Sequence, residues 1–92
     1  AHSDYVVVSS LKAPCPYAEP TSTIQSGSSG NGVKWVQWHL YKLGYLKESD
    51  IDGDFGPTTL NAVKAFQKDN SLVVDGIVGS GTRTALKNKY GK

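Results

Sequence analysis

Asp52-Gly53-Asp54-Phe55-Gly56-Pro57-Thr58-Thr59-Leu60-Asn61-Ala62-Val63 decides the fold, because it returns as Asp75-Gly76-Ile77-Val78-Gly79-Ser80-Gly81-Thr82-Arg83-Thr84-Ala85-Leu86. The shared pattern is D-G-x-[FV]-G-x-x-T-x-x-A-[VL]. Asp-Gly makes a tight turn because glycine tolerates positive φ, and the second glycine is an acceptable helix N-cap. The apolar residue between them, Phe55 or Val78, is the one expected to enter the core. Phe55 precedes its cap and can pack on Leu60 as a hydrophobic staple, whereas Val78 is matched with Arg83 and lacks that contact. Thr59 and Thr82 fall in the first turn, where a hydroxyl can serve free backbone N–H groups or the loop. The repeat encodes two turn-into-helix units.

Working outward, Val33, Val36, Leu40 and Leu43 recur at spacings of three and four, and Gly44 is a natural stop. This predicts a first helix from about Asn31 to Leu43. Pro57, favoured at the first helical position, opens a second with Thr59, Ala62, Val63 and Phe66 on one face, to about Asp69. A third, from about Ser80 to Lys89, carries Thr82, Ala85 and Leu86 in the corresponding places, with Lys87 and Lys89 where cations suit the helix dipole. The predicted fold class is all-α: a compact three-helix bundle with Gly-rich loops. Before it, Cys15-Pro16, Glu19-Pro20 and Ser26-Gly27-Ser28-Ser29-Gly30 mark a linker or irregular arm. Tyr5-Val6-Val7-Val8 is β-prone, the end of a neighbouring domain or part of an arm laid on this one.

Ninety-two residues leave room for one core. With 38% hydrophobic and 20% charged residues and no run long enough to span a bilayer, the composition is that of a globular protein. A net charge of +2 with scattered Lys and Arg gives no reason to expect nucleic-acid or membrane partners. A single cysteine, Cys15, excludes an intrachain disulfide. The sequence starts at Ala1 without methionine or a signal segment, as a processed or excised fragment would.

The ordered pieces Gly32-Val33, Val36-Gln37, Leu40, Leu43-Gly44-Tyr45, Asp52-Gly53-Asp54-Phe55-Gly56, Thr59, Ala62-Val63, Phe66-Gln67, Leu72, Asp75-Gly76-Ile77-Val78-Gly79, Thr82 and Ala85-Leu86 resemble the peptidoglycan-binding domain family of bacterial cell-wall hydrolases, a compact three-helix fold. The match runs from about residue 27 to 88, so residues 1–26 are expected to be an arm or linker and 27–92 the domain. The resemblance implies a secreted, wall-associated, non-catalytic module that binds peptidoglycan, through glycan or stem peptide, and is attached to a catalytic domain such as an amidase or peptidase. A monomer without cofactor is expected. Two departures stand out: Asn70-Ser71 where the family usually has a glycine, and Trp35 and Trp38 on the first helix.

Catalytic and metal readings find little support. Asp50, Asp52 and Asp54 have the early spacing of an EF-hand loop, but Phe55 replaces its glycine and Asn61 its bidentate Glu. His2, Cys15 and His39 share no zinc spacing, and Gly79-Ser80-Gly81 is not a nucleophile elbow. A glycosidase using Asp50, Asp52, Asp54 and Asp75 would need two carboxyls across a cleft, for which this domain has little room. His39, beside Leu40, is expected at the edge of the core in a partly exposed packing role. Gln37 and Gln67 each follow an apolar core residue; such amides tie helices to the Gly-rich loops, or one of them faces a ligand.

The candidate ligand-binding residues are Trp35, Trp38, Lys42, Asp52, Asp54 and Asp75. On a helical wheel Trp35 points almost opposite the core. An outward aromatic can stack on sugar rings or be covered by the arm containing Tyr17, Pro20 and Ile24, and a Pro-rich segment with spaced apolar residues suits the second role. Lys34 and Lys42 flank this face and can meet stem-peptide carboxylates. The expected site is a shallow groove beside the two Asp-Gly loops or on the Trp face. The alternative is a docking module in which the Trp face or the Tyr5–Val8 run contacts the catalytic domain.

Overall fold

The structure is a computed structural model that describes residues 15–90; the Tyr5–Val8 run lies outside the described residues. The three expected helices are present: α1 (Asn31–Lys42), α2 (Pro57–Asp69) and α3 (Ser80–Tyr90), with a short 3-10 turn at Glu48–Asp50 that the helical periodicity did not indicate. Among the described residues the bridges outside the helices are two isolated antiparallel pairs, Ile24 with Val78 and Ser29 with Asp54. No helix there is long and apolar enough to cross a membrane.

The expected one-sided first helix is not what forms. All six residues from Trp35 to Leu40 are buried, more than a full helical turn, so α1 is enclosed on every side over that stretch. It packs against both α2 and α3, and the arm closes another side. The core joins Val33, Val36 and Leu40 of α1 to Ala62, Val63 and Phe66 of α2, Leu86 of α3, Phe55 and Val78 of the repeat loops, and Ile24 of the arm. Ile24 exchanges both backbone hydrogen bonds with Val78, at 3.0 and 2.7 Å. Phe55 and Val78 are the inserted apolar residues of the two units, as the repeat predicted, each contributing about 1.5–3 kcal/mol on burial.

This enclosure decides between the alternatives for the Trp face and corrects the expectation for His39. Trp35 and Trp38 are only 3% and 8% exposed. The wheel placed Trp35 opposite the core, and of the two roles given for such a residue, open stacking or cover by the arm, its burial agrees with the second. Trp35 belongs to the core cluster, with Tyr17 and Cys15 packed against that cluster. A side chain at Gly32 would meet Pro20 Cβ at 3.0 Å and Ile24 Cδ1 at 3.2 Å, so the arm crosses close to the start of α1. Trp38 packs edge-on to Tyr90 at the end of α3, with ring centroids 5.0 Å apart. His39, expected to be partly exposed, is buried between Trp35, Trp38 and Tyr90, and its Nδ1 donates to the Trp35 carbonyl at 2.8 Å. Burial pushes its pKa down, favouring the neutral ring.

Helices α1 and α2 end in the same way. After α1, Tyr45 N–H donates to the Leu40 carbonyl and Gly44 N–H to the Tyr41 carbonyl, the two bonds of a Schellman turn, with Gly44 at φ 93°. After α2, Leu72 N–H donates to Gln67 and Ser71 N–H to Lys68, the same pair of bonds. Here Ser71 occupies the left-handed position, at φ 59°. The sequence departure at Asn70-Ser71 is therefore a non-glycine residue held where a Cβ is unfavourable, at a cost of about 1–2 kcal/mol. Replacing Ser71→Gly is expected to stabilise the chain by about 1 kcal/mol, less than the full strain because glycine also gains freedom in the unfolded state. A urea midpoint unchanged or lowered in Ser71→Gly would contradict this.

Candidate functional site

The repeat loops are held by two copies of one hydrogen-bond arrangement. In the first, Gln37 Nε2 shares its two N–H groups among Asp52 Oδ1 at 3.0 Å, the Asp54 carbonyl at 3.1 Å and Thr59 Oγ1 at 2.9 Å, while its Oε1 accepts from Gly53 N–H at 2.9 Å. In the second, Gln67 Nε2 shares its two N–H groups among Asp75 Oδ1 at 3.0 Å, the Ile77 carbonyl at 3.0 Å and Thr82 Oγ1 at 3.3 Å, and its Oε1 accepts from Gly76 N–H at 2.9 Å. Each aspartate also accepts from the backbone two residues on, Asp52 from Asp54 N–H and Asp75 from Ile77 N–H. Both glutamines are buried, and the loop-tying role expected for them is the one they perform.

The duplication reaches further back than the D-G pattern. Val33-Lys34-Trp35-Val36-Gln37 and Val63-Lys64-Ala65-Phe66-Gln67 hold corresponding positions, and the stems of Lys34 and Lys64 lie over Gly53 and Gly76. Only glycine fits beneath them easily. Both are at positive φ, 82° and 73°, and a Cβ at Gly76 would come within 2.5 Å of Leu60 Cδ1.

This arrangement defines what the candidate residues do. The Asp54 N–H and the Gln37 amide hold the Asp52 carboxyl below its ordinary pKa; the Ile77 N–H and the Gln67 amide do the same for Asp75. Both are thus anionic acceptors that shape a loop, and neither is poised to deliver a proton near neutral pH. Asp54 is exposed and enters the arrangement through its backbone. Lys42 is exposed, with its ammonium 5.5 Å from the Trp38 ring and 5.2 Å from the Tyr41 ring. The structure brings Asp52 and Asp54 together and sets Asp75 in the second loop. Trp35 and Trp38 are buried and offer no open face for stacking. Among the described residues no three His, Cys, Asp or Glu side chains form a group that could hold a metal ion.

Shallow depressions lie beside both loops at matching repeat positions. The first, about 190 Å³, is lined by Asp50, Asp52, Asp54 and Thr58; the second, about 290 Å³, has Val73, Asp75, Ile77 and Gly81 in their places. One backbone frame thus presents an acidic surface and an apolar one, and Val73 is 78% exposed. A third pocket, about 250 Å³, lies away from the loops, where the C-terminal ends of the helices meet; Leu43, Tyr45, Phe66, Asp69, Asn70 and Lys89 line it. Tyr45 follows the stop Gly44, and nothing in the local sequence pattern could show that its ring would share a pocket with the last turn of α3.

Comparison with known proteins agrees with this architecture. Residues 29–86 match the family model described as "Putative peptidoglycan binding domain". The N-acetylmuramoyl-L-alanine amidase CwlL of Bacillus licheniformis is 44% identical over 63 residues, covering 63% of this chain and 18% of that protein. The zinc D-Ala-D-Ala carboxypeptidase of Streptomyces albus G is 40% identical over 63 residues, covering 67% of this chain and 25% of that protein. The chain therefore spans a quarter or less of the length of these two relatives. The crystal structure of the SleB N-terminal domain superposes with a TM-score of 0.73 at 35% identity, covering 79% of this chain and 99% of that one.

Two stability measurements follow from the paired arrangement. Gln37→Ala and Gln67→Ala each strand a buried glycine N–H and leave a void, so each is expected to cost about 3 kcal/mol and lower Tm by more than about 10 °C. A variant melting like the parent would show the arrangement to be dispensable. Because the folded-state pKa values of Asp52 and Asp75 lie below those of the unfolded chain, their contribution is present above the ordinary aspartate pKa of about 4 and is lost as pH falls through the folded values. The double variant Asp52→Asn with Asp75→Asn should therefore show a flatter decline of the urea midpoint below about pH 4 than the parent. Parallel declines would refute that assignment.

Proposed function

The chain belongs to the peptidoglycan-binding domain family, and from that premise we propose that it is a non-catalytic module that holds a linked cell-wall hydrolase at its substrate. The observation that carries this reading is the use made of the loop carboxylates. Asp52 and Asp75, two of the four acid–base candidates of the glycosidase alternative, are hydrogen-bonded anions fixed to a buried amide and a backbone N–H. What remains accessible is a set of shallow pockets on a rigid frame, suited to holding a polymer rather than cleaving it. Tethering of this kind raises the effective concentration of an attached enzyme without altering its chemical step. In this reading the parent is a secreted protein that acts at the wall, and the fractions of the amidase and carboxypeptidase that this chain matches support a module joined to a separate catalytic part.

A second reading is favoured by one feature. Val73, Val74 and Ile77 are exposed together on the second loop, and a clustered apolar surface of this kind suits a protein contact. In that case the module would dock on the catalytic domain of its own parent.

Co-sedimentation with purified peptidoglycan sacculi separates these readings. The folded chain is expected to pellet with sacculi and to release no soluble fragments. Release of soluble sugar or peptide would make it an enzyme, and a folded chain left in the supernatant that binds the parent's catalytic domain would make it a docking module.

A further inference from the structure

The pocket at the C-terminal ends of the helices is built from two kinds of group. Its apolar surface comes from Leu43, Phe66 and the ring of Tyr45, which the Schellman turn after α1 carries back against Phe66, edge to face with centroids 5.8 Å apart. Its polar groups are Asp69, Asn70 and Lys89. Tyr45 donates its hydroxyl to Asp69 Oδ2 at 2.6 Å, and burial first, then the bond to Asp69 and its charge, push the phenol pKa up to about 12. The phenol therefore stays a donor, and this bond fixes both the ring and the carboxylate. Asn70 donates its amide to the Phe66 carbonyl at 2.8 Å, which leaves its side-chain oxygen as an acceptor. The second Asp69 oxygen and the Lys89 ammonium have no partner among the described residues, and the two charges do not pair with each other.

An unpaired anion and an unpaired cation around one apolar floor suit a neutral group that both donates and accepts. A free stem-peptide carboxylate would gain Lys89 but meet Asp69. A secondary amide uses both: its N–H can donate to Asp69, its carbonyl can accept from Lys89, and a methyl beside the carbonyl has the half-buried Leu43 side chain to pack on. At about 250 Å³ the pocket is smaller than the roughly 300–1,000 Å³ usual for drug-sized ligands, which limits it to about one ring. The C–H face of a sugar has the Tyr45 ring to lie on. We propose that the Leu43–Tyr45–Phe66 pocket, with Asp69 and Lys89 at its edge, is a subsite for a single 2-acetamido sugar, so that the module grips its polymer by the glycan. This rests on the wall-binding reading, and places the grip away from the Asp-Gly loops.

The test uses the whole chain with two soluble probes, the β-1,4-linked tetramer of N-acetylglucosamine and cellotetraose, which lacks the acetamido group. Titration followed by amide NMR is expected to show saturable shifts at Tyr45, Phe66 and Asn70 with the first probe, and at least about tenfold weaker binding with the second. Lys89→Ala, an exposed change, should weaken the first probe about tenfold while leaving Tm unchanged. Asp69→Ala should do the same, with its Tm recorded because it also frees Tyr45. Equal binding of the two tetramers, no shifts, or parent-like binding by both variants would overturn the subsite. If the parent pellets with sacculi but ignores the acetamido tetramer, the subsite fails and the module stands; if it binds the tetramer but does not pellet, the subsite stands and the wall-binding reading fails.

Discussion

A carboxamide buried in a protein core must place two N–H groups and a carbonyl oxygen on partners, and Gln37 and Gln67 do so on equivalent groups of two different loops. Each amide reaches an aspartate, a backbone carbonyl, a threonine hydroxyl and a glycine N–H, and so fixes a loop, the start of the following helix and the preceding helix to one point. The apolar residues that complete the core, Phe55 and Val78, sit in these loops. Their insertion depends on the loop's path, and the path depends on the amide. The arm depends on it in turn, because it pairs with the loops through Ile24 and Ser29.

Using one arrangement twice leaves the two copies free to diverge wherever the amide does not reach. Asp50, Asp54 and Thr58 around the first loop become Val73, Ile77 and Gly81 around the second, and the frame is unchanged. The helix ends have diverged too. Gly44 and Ser71 close the same turn, one at ease in the left-handed region and one strained. The strain is tolerated because Leu72, the next residue, packs against the core, and the turn bonds to Gln67 and Lys68 secure it.

The arrangement also bears on function. A carboxylate that accepts from a buried amide and a backbone N–H is held as an anion and held in place, so the acidic residues that look most chemical in the sequence are structural in the fold. The groups left unsatisfied lie at the opposite ends of the helices, where Asp69 and Lys89 face a floor of aromatic and aliphatic carbon. A small domain whose loops are tied to buried amides and whose pockets are shallow is suited to holding a polymer.

Much of this was legible in the residues. The repeated D-G-x-[FV]-G-x-x-T pattern carries its own turn chemistry, and local spacing is enough to place the three helices, because caps, glycine stops and helical periodicity act within a few residues of themselves. That Gln37 and Gln67 would be tied to the loops followed from their position beside core residues. Cover of the Trp face by the arm was one of the two roles its residues suggested, but the full burial of Trp38 and His39 did not follow, because a helical wheel knows one neighbour direction, and α1 packs against two helices and an arm. Nor did the pocket at the helix ends, whose walls come from Tyr45, Phe66 and Lys89, on three separate segments. Sequence determines how each segment folds and which face it must bury; which side chains are left facing one another at the surface is decided only when the segments pack, because that depends on distances between residues remote in the chain.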